Sequence, residues 1–221
     1  MPFSTAGQMA MLYNLVHTLG GYLSLHSAYG ATNTTAFSSE LSGGGYARVA
    51  VSANWPSSLP APGNTITTTG SITAFNVPAG GIVAWVGIWD TSTLAAGSAT
   101  DFQGMGPNGG ATQYAFTAPT GSTTFTAPGH TLAVNQTVVL FNGAGATIPT
   151  PYVVGNFYQV TAANTGAGTF SIQNWTAAGG GSGGAITTTS AGAGIVQGIT
   201  VETYSGPGGT FTVTSDTLSL F

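Results

Sequence analysis

Hydrophobic positions recur at helical spacing in one stretch only. Ala6, Met9, Ala10, Tyr13 and Val16 fall three or four residues apart, with Leu12, Leu15 and Leu19 on a flanking line, the period of an amphipathic helix. Thr5 and Gln8 have capping-box spacing, in which the hydroxyl accepts from a first-turn amide. Gly20-Gly21 supplies a stop, because glycine enters the left-handed conformation without a Cβ clash. The pattern predicts a helix over Thr5–Leu19, apolar around much of its circumference and buried against a sheet or another subunit.

The rest of the chain reads as short strands. Tyr22–His26 alternates Tyr, Leu, Ser, Leu, His, and Tyr46–Ala53 alternates small and larger residues around Arg48. Thr65–Val77 is rich in Thr and Ile, with Gly70 as a bend or bulge. Ile82–Trp89 is apolar on both faces, as in a buried strand. Pro78-Ala-Gly-Gly and Gly104–Gly110 read as turns. Thr210–Leu220 reads as a hairpin pairing Phe211 and Val213 with Leu218 and Leu220 around Ser215-Asp216. Strands this short, punctuated by Gly, Pro and Asn, predict a β-sandwich or barrel.

Between Thr124 and Ile195 the texture changes. Strands are expected at Thr137–Phe141, Asn156–Val160, Thr169–Gln173 and Ala185–Thr189, and Thr176–Gly184 is almost all small residues. This predicts a small β-barrel at 121–196, inserted into an outer domain formed by 1–120 and 197–221. Gln113–Thr117 and Ile199–Tyr204 would be strands of that outer domain. Surface loops accept such insertions because closure entropy grows slowly with length. The expected fold class is all-β: a β-sandwich with a short N-terminal helix and an inserted small β-barrel.

Charge then narrows the function. Arg48 is the sole Lys or Arg in 221 residues, and the acids are Glu40, Asp90, Asp101, Glu202 and Asp216. Charged residues make up 3% of the chain, against about 25% in ordinary soluble domains. The surface is therefore expected to be polar but uncharged, and the hydrophobic content of 42% argues against disorder. Nucleic-acid binding needs clustered cations, which the chain lacks. No apolar run reaches the roughly 18 residues of a membrane span, and the N-terminus lacks the pattern of a secretory signal. With no cysteine, disulfides, thiolate chemistry and cysteine zinc sites are excluded.

Candidate chemistry is sparse. His17, His26 and His130 have no metal-ligand spacing, so structural histidines are expected, with no metal site and no cofactor. No Gly-x-Ser-x-Gly elbow joins a strand to a helix, and a carboxylate pair such as Asp90 and Asp101 is not specified by sequence. Gly43–Gly45 lacks the lysine and helix of a phosphate loop and reads as a tight turn. The expectation is a non-enzymatic protein. Arg48 is expected in a structural ion pair with Glu40, Asp90 or Asp101, with Glu40 and Asp90 as the chosen partners; its other reading is a contact to a neighbouring subunit. Trp55, Trp85, Trp89, Trp175, Phe102, Tyr152 and Tyr158 could supply a carbohydrate platform. Trp85 and Trp89 share one strand face and read as core, leaving Trp175 and Tyr152 as candidate recognition residues.

Residues 40–51, Glu-Leu-Ser-Gly-Gly-Gly-Tyr-Ala-Arg-Val-Ala-Val, resemble a signature of small virion proteins of tailed bacteriophages. There a Glu-x-Ser-Gly-Gly-x-Tyr-x-Arg motif follows an N-terminal helix and a Leu-His strand, here Thr5–Leu19 and Leu23-Ser-Leu-His26. A later strand runs into Gly87-Ile88-Trp89-Asp90, and the family ends in a Thr-rich hairpin resembling Thr210–Leu220. The middle segment resembles a β-barrel module of phage tail and fibre proteins. That likeness lies in His130-Thr-Leu-Ala-Val134, Val138–Phe141, Pro149–Pro151, Tyr158-Gln-Val160, Thr169-Phe170 and Ser190-Ala-Gly192. The module commonly has Gly-Asp after the first valine, where this chain has Asn135-Gln136.

The resemblance implies a structural component of the virion exterior: a capsid-decoration or minor capsid protein, or a minor tail or fibre protein. Its expected partners are itself, as a trimer or larger assembly, and other virion proteins, through neutral, hydrophobic and backbone contacts. The other function class is recognition of a host-surface glycan by the inserted module.

Overall fold

The computed structural model describes residues 4–18, 21–30, 32–63, 65–69, 72–90, 92, 102–109, 112–143, 145–176, 181–213 and 217–219. Its elements in chain order are α1 (Thr5–Thr18), β1 (Tyr22–His26), α2 (Asn33–Ser39), β2 (Val49–Ala50), a 3-10 turn (Ser52–Asn54), β3 (Thr65–Thr67), β4 (Phe75–Val77), β5 (Ile82–Val83), β6 (Trp85–Trp89), β7 (Phe102–Pro107), β8 (Gln113–Ala118), β9 (Phe125–Thr126), β10 (Thr137–Asn142), β11 (Phe157–Asn164), β12 (Thr169–Trp175), β13 (Gly181–Ser182), β14 (Gly192–Gly198), β15 (Glu202–Thr203), β16 (Gly209–Phe211) and β17 (Thr217–Ser219). The protein is mostly β, with a short N-terminal helix and a closed six-stranded barrel. It divides into two compact units, Met1–Gly106 with Thr203–Phe221, and Pro107–Glu202.

The first unit is built on a sheet of order β2-β1-β6-β7. β1 and β6 pair antiparallel, Leu23 opposite Ile88, Ser24 opposite Gly87, and His26 opposite Trp85. Side chains alternate across a strand, so the pairing sorts the two faces. Leu23, Leu25 and Ile88 join Met9, Leu12 and Val16 of α1 and Ile66, Phe75, Val77 and Phe211 of the ribbons β3–β17 and β4–β16 in one core. The opposite face carries Ser24, His26, Trp85 and Trp89, all buried.

The second unit is the barrel. Its order is β11-β10-β14-β8-β9-β12, closed by pairing of β11 with β12 and extended by β13 on β12. The interior is aromatic. Phe125 lies 5.0 Å from Phe170 and 5.1 Å from both Phe116 and Tyr152, stacked on the first and edge-on to the others. Val138, Leu140, Val160, Ile172 and Val196 fill the remainder.

Several expectations need correction. The cap of α1 is Ser4, whose hydroxyl accepts from Gly7 N at 3.2 Å, one residue before the expected Thr5. A second helix, α2, was not anticipated; Thr32 caps it, with Thr35 closing a capping box. The stretch Tyr46–Ala53 is a strand only at Val49–Ala50, and Thr65–Val77 breaks into β3 and β4. Leu19, Gly20, Gly70, Ser215, Asp216 and Leu220 lie outside the described residues. Gly104–Gly110 is not a turn throughout, because β7 runs to Pro107 and the chain turns at Asn108-Gly109. The expected terminal hairpin does not pair with itself: Phe211 lies opposite Phe75, and Leu218 opposite Ile66. Ala185–Thr189 is not a strand; Gly181–Ser182 and Gly192–Gly198 are.

The unit boundary also moves outward, from 121–196 to 107–202. β8, assigned above to the outer domain, pairs along its whole length with β14, Gln113 opposite Gln197 through Ala118 opposite Gly192. Cutting at 121 would remove one wall of the barrel. A fragment spanning 107–202 is therefore expected to fold cooperatively, with Trp175 emission shifting as it unfolds, whereas 121–196 is expected to lack a cooperative transition. Thermal melts of the two fragments check this, and a cooperative melt of the shorter one would refute the boundary.

Candidate functional site

Glu40, Tyr46 and Arg48 of the Glu-x-Ser-Gly-Gly-x-Tyr-x-Arg stretch converge on one buried point in the first unit. Glu40 ends α2 and bridges to His26 of β1. Gly43, Gly44 and Gly45 then take φ of 81°, 61° and 79°, a left-handed run that side chains would resist. The chain reverses there, with Tyr46 N donating to Gly43 O at 2.9 Å. Tyr46 and Arg48, two apart in extended chain, are thereby turned back towards Glu40.

The contacts at Glu40 are specific. Arg48 Nε donates to Oε1 at 2.9 Å and a terminal Arg48 nitrogen donates to Oε2 at 2.7 Å, the two-pronged geometry of a guanidinium on a carboxylate. Tyr46 donates its hydroxyl to the same Oε1 at 3.2 Å. Burial, and secondarily the Glu40 charge, push the Tyr46 phenol far above its usual range, so it remains a donor. Leu25 N–H donates to the Tyr46 hydroxyl at 2.8 Å. The Arg48 and Glu40 side chains are 0% and 1% exposed, and the guanidinium carbon lies 3.6 Å from the Trp89 ring centroid. A desolvated cation over an indole contributes about 2 kcal/mol.

Trp89 links this pair to a second set of buried polar groups. Its indole N–H donates to Ser24 Oγ at 2.6 Å, and Ser24 Oγ lies 2.5 Å from His26 Nε2. His26 Nδ1 lies 3.0 Å from the Ala36 carbonyl, which can only accept. That fixes the tautomer: Nδ1–H donates to Ala36, and Nε2 accepts from Ser24. Burial, with a smaller contribution from the Arg48 cation, lowers the His26 pKa to about 3 against the opposing Ala36 hydrogen bond. Gly87, opposite Ser24, leaves the room this needs, since a Cβ there would sit 2.5 Å from His26 Nε2. Ser24 and His26 are both fully buried, and this serine–histidine contact links β1, β6 and α2.

The barrel's histidine does a similar job. His130 Nδ1 accepts from Leu132 N at 3.2 Å, so Nε2 donates to Thr169 O at 3.1 Å. His17, by contrast, is exposed on α1 and its Nδ1 contacts Tyr13 O at 2.9 Å. Asn135 occupies φ 70°, and Gln136 Oε1 accepts Ala133 N–H at 3.0 Å. The pair at this turn thus takes the left-handed position and supplies an acceptor without adding a charge.

Of the expected site residues, the structure brings Arg48 and Glu40 together. Asp90 follows Trp89 at the end of β6, half-buried, and Asp101 lies outside the described residues. Tyr152, expected at the surface, lies inside instead. It is buried in the barrel interior, edge-on to Phe125 and Tyr158, and its hydroxyl donates to Ile186 O at 2.8 Å. Trp175 is half-buried at the end of β12, its ring 5.3 Å from Phe157. The sequence reading missed Ser24 and Gly87; the available signal was a small polar residue and a glycine interrupting otherwise apolar strands.

Among the described residues, no group of three His, Cys, Asp or Glu is placed to hold a metal ion. No described helix is long and apolar enough to cross a membrane. No protein-family model, curated protein or solved structure matches the chain.

Two outcomes follow from the network. Arg48→Met and Arg48→Lys are each expected to destabilise the first unit, the former by about 3–5 kcal/mol, because a buried carboxylate is stranded; lysine lacks the planar fork. Denaturant unfolding followed by the emission of Trp55, Trp85 and Trp89 measures this, and an unchanged midpoint would refute it. The second concerns pH. The unfolded chain binds a proton at His26 near pH 6.5, whereas the folded protein resists until about pH 3. Stability is therefore full above pH 6.5 and falls as the pH drops below it, by up to about 1.4 kcal/mol per unit. Unfolding midpoints between pH 6.5 and 5, above most carboxylate titration, should show that slope, and His26→Gln should flatten it.

Proposed function

We propose that this protein is a non-enzymatic structural component of a tailed-phage virion exterior, a decoration or minor capsid protein or a minor tail or fibre protein. One observation carries the reading. Glu40, Tyr46 and Arg48, the residues on which the resemblance to small virion proteins rests, form a single hydrogen-bonded unit in a buried site. Their spacing thus has a structural cause, which supports reading the motif as more than a chance run of small residues. A structural role also accords with where several of the scarce titratable groups sit: Glu40, Arg48, His26 and His130 are all buried.

Subunit contacts would then be neutral. With one cation in the chain, and that one internal, attachment rests on apolar burial and backbone hydrogen bonds. It is expected to survive a salt wash from about 0.1 to 1 M, over which the Debye length falls roughly threefold. Electron microscopy of washed particles, with a label on this chain, tests both points. Density on capsid or tail that persists after the wash is the expected result. A chain absent from particles, or released by salt, would refute the proposal.

A further inference from the structure

The outer face of the barrel carries an arrangement that the structural role does not use. β11 and β12 pair with Gln159 opposite Gln173. Phe157 and Trp175, two residues along their strands from those glutamines, meet edge to face with ring centroids 5.3 Å apart and an interplanar angle of 76°. Tyr158 and Ile172, the intervening type of position, point into the core, so all four residues lie on the outside of the sheet. Phe157, Trp175 and Gln173 are half-buried, whereas Gln159 is buried beneath them. The amides are fixed in orientation: Gln159 Oε1 accepts from Gln173 Nε2 at 2.9 Å and from Gly181 N at 2.7 Å.

We propose that this face binds a neutral hexopyranose chain. The chemistry of the three part-exposed residues, Phe157, Gln173 and Trp175, is the warrant, with Gln159 bracing the Gln173 amide. A pyranose presents a flat C–H face, which packs on an aromatic ring, and a rim of hydroxyls, each both donor and acceptor. Carboxamides match that rim because they also donate and accept, and Trp and Phe supply large rigid apolar surface. Same-face neighbours along a strand are about 7 Å apart, so an aromatic pair followed by the Gln173 amide fits the scale of a sugar ring. Amides already held by each other and by a backbone N–H lose little freedom on binding. Charge decides between neutral and acidic glycans. None of the four residues is ionisable, and the chain's one Lys or Arg is consumed in the Arg48–Glu40 pair of the other unit. A carboxylated or sulfated polymer would therefore meet no cation at this face.

The inference does not depend on the virion assignment, since a protein absent from particles could still bind sugar here and a virion protein could fail to. The test uses the full chain with neutral glucan, galactan and mannan oligosaccharides, and a hyaluronan oligosaccharide as the acidic control. Binding is read by tryptophan emission and by affinity electrophoresis in the matching polymers. Trp175 is the reporter, because Trp55, Trp85 and Trp89 are at most 2% exposed. At least one neutral sugar is expected to shift the emission and retard the protein, with no response to hyaluronan. Trp175→Ala should weaken binding roughly tenfold, the factor that about 1.4 kcal/mol commands. Should Trp175→Ala fail to fold by circular dichroism, Trp175→Phe and Gln173→Leu take its place, the second expected to lose binding while leaving the aromatic pair intact. Absence of response to all three neutral sugars, preference for hyaluronan, or unchanged affinity in folded variants would each overturn the proposal.

Discussion

The first unit depends on one buried ion pair. Moving a carboxylate and a guanidinium out of water costs several kcal/mol per ion, and their attraction repays this only when the geometry is good and the remaining hydrogen-bonding capacity is used. Here it is used: Glu40 accepts from two Arg48 nitrogens and from Tyr46, and Arg48 lies over Trp89. Each of those partners in turn fixes a separate piece of chain. Tyr46 caps the Leu25 amide beyond the end of β2, beside the bridge of Glu40 to His26. Trp89 hands its indole hydrogen to Ser24, which orients His26, which ties β1 to α2 through Ala36. Breaking the pair therefore loosens one helix, two strands and a loop together, which accounts for a large cost from one side chain.

Elsewhere, neutral amides and histidines carry much of the polar bonding among the described residues. Amides serve as acceptors where a carboxylate could: Gln136 for Ala133 at an exposed turn, and buried Gln159 for Gln173 and Gly181. Neutral acceptors carry a smaller desolvation cost than anions. Both buried histidines are used as neutral two-ended brackets, each accepting on one nitrogen and donating on the other. In a chain with a single Lys or Arg, a buried carboxylate beyond Glu40 would have few ways to be compensated.

How much of this was legible in the sequence depended on whether the cause was local. Alternation placed β1 correctly to the residue, because Leu23 and Leu25 face a core while Ser24 and His26 face the other way. The Arg48–Glu40 pairing was accessible from charge scarcity and spacing. α2 was not: Asn33-Thr-Thr-Ala-Phe-Ser-Ser is a weak helix former, and tertiary contacts through Ala36 and the Thr32 cap outweigh its propensity. β14 was hidden by its glycines, yet Gly194 is where the backbone of β10 comes so close that a Cβ would collide with the Phe141 carbonyl. Tyr152 was misplaced because an aromatic beside prolines reads equally well as surface or core, and only barrel closure decides which way it points. The terminal strands alternated as expected, but their partners, β4 and β3, lie more than a hundred residues away, and nothing local specifies that.

A chain without lysine faces one further constraint. Exposed strand edges invite pairing with other molecules, and proteins commonly guard them with charge, lysine above all. That defence is closed to this sequence, and its architecture uses the others. The second unit removes edges by closing β11 on β12. The first keeps its ribbons to three residues per strand in β3, β4, β16 and β17, and its edge strand β2 to two. The longer edge strand β7 ends in Pro107, which has no amide hydrogen to offer a partner. These devices resist indiscriminate strand addition while leaving neutral side-chain surface free to make chosen contacts. The near-absence of charge therefore favours a closed barrel and very short ribbons over long open sheets.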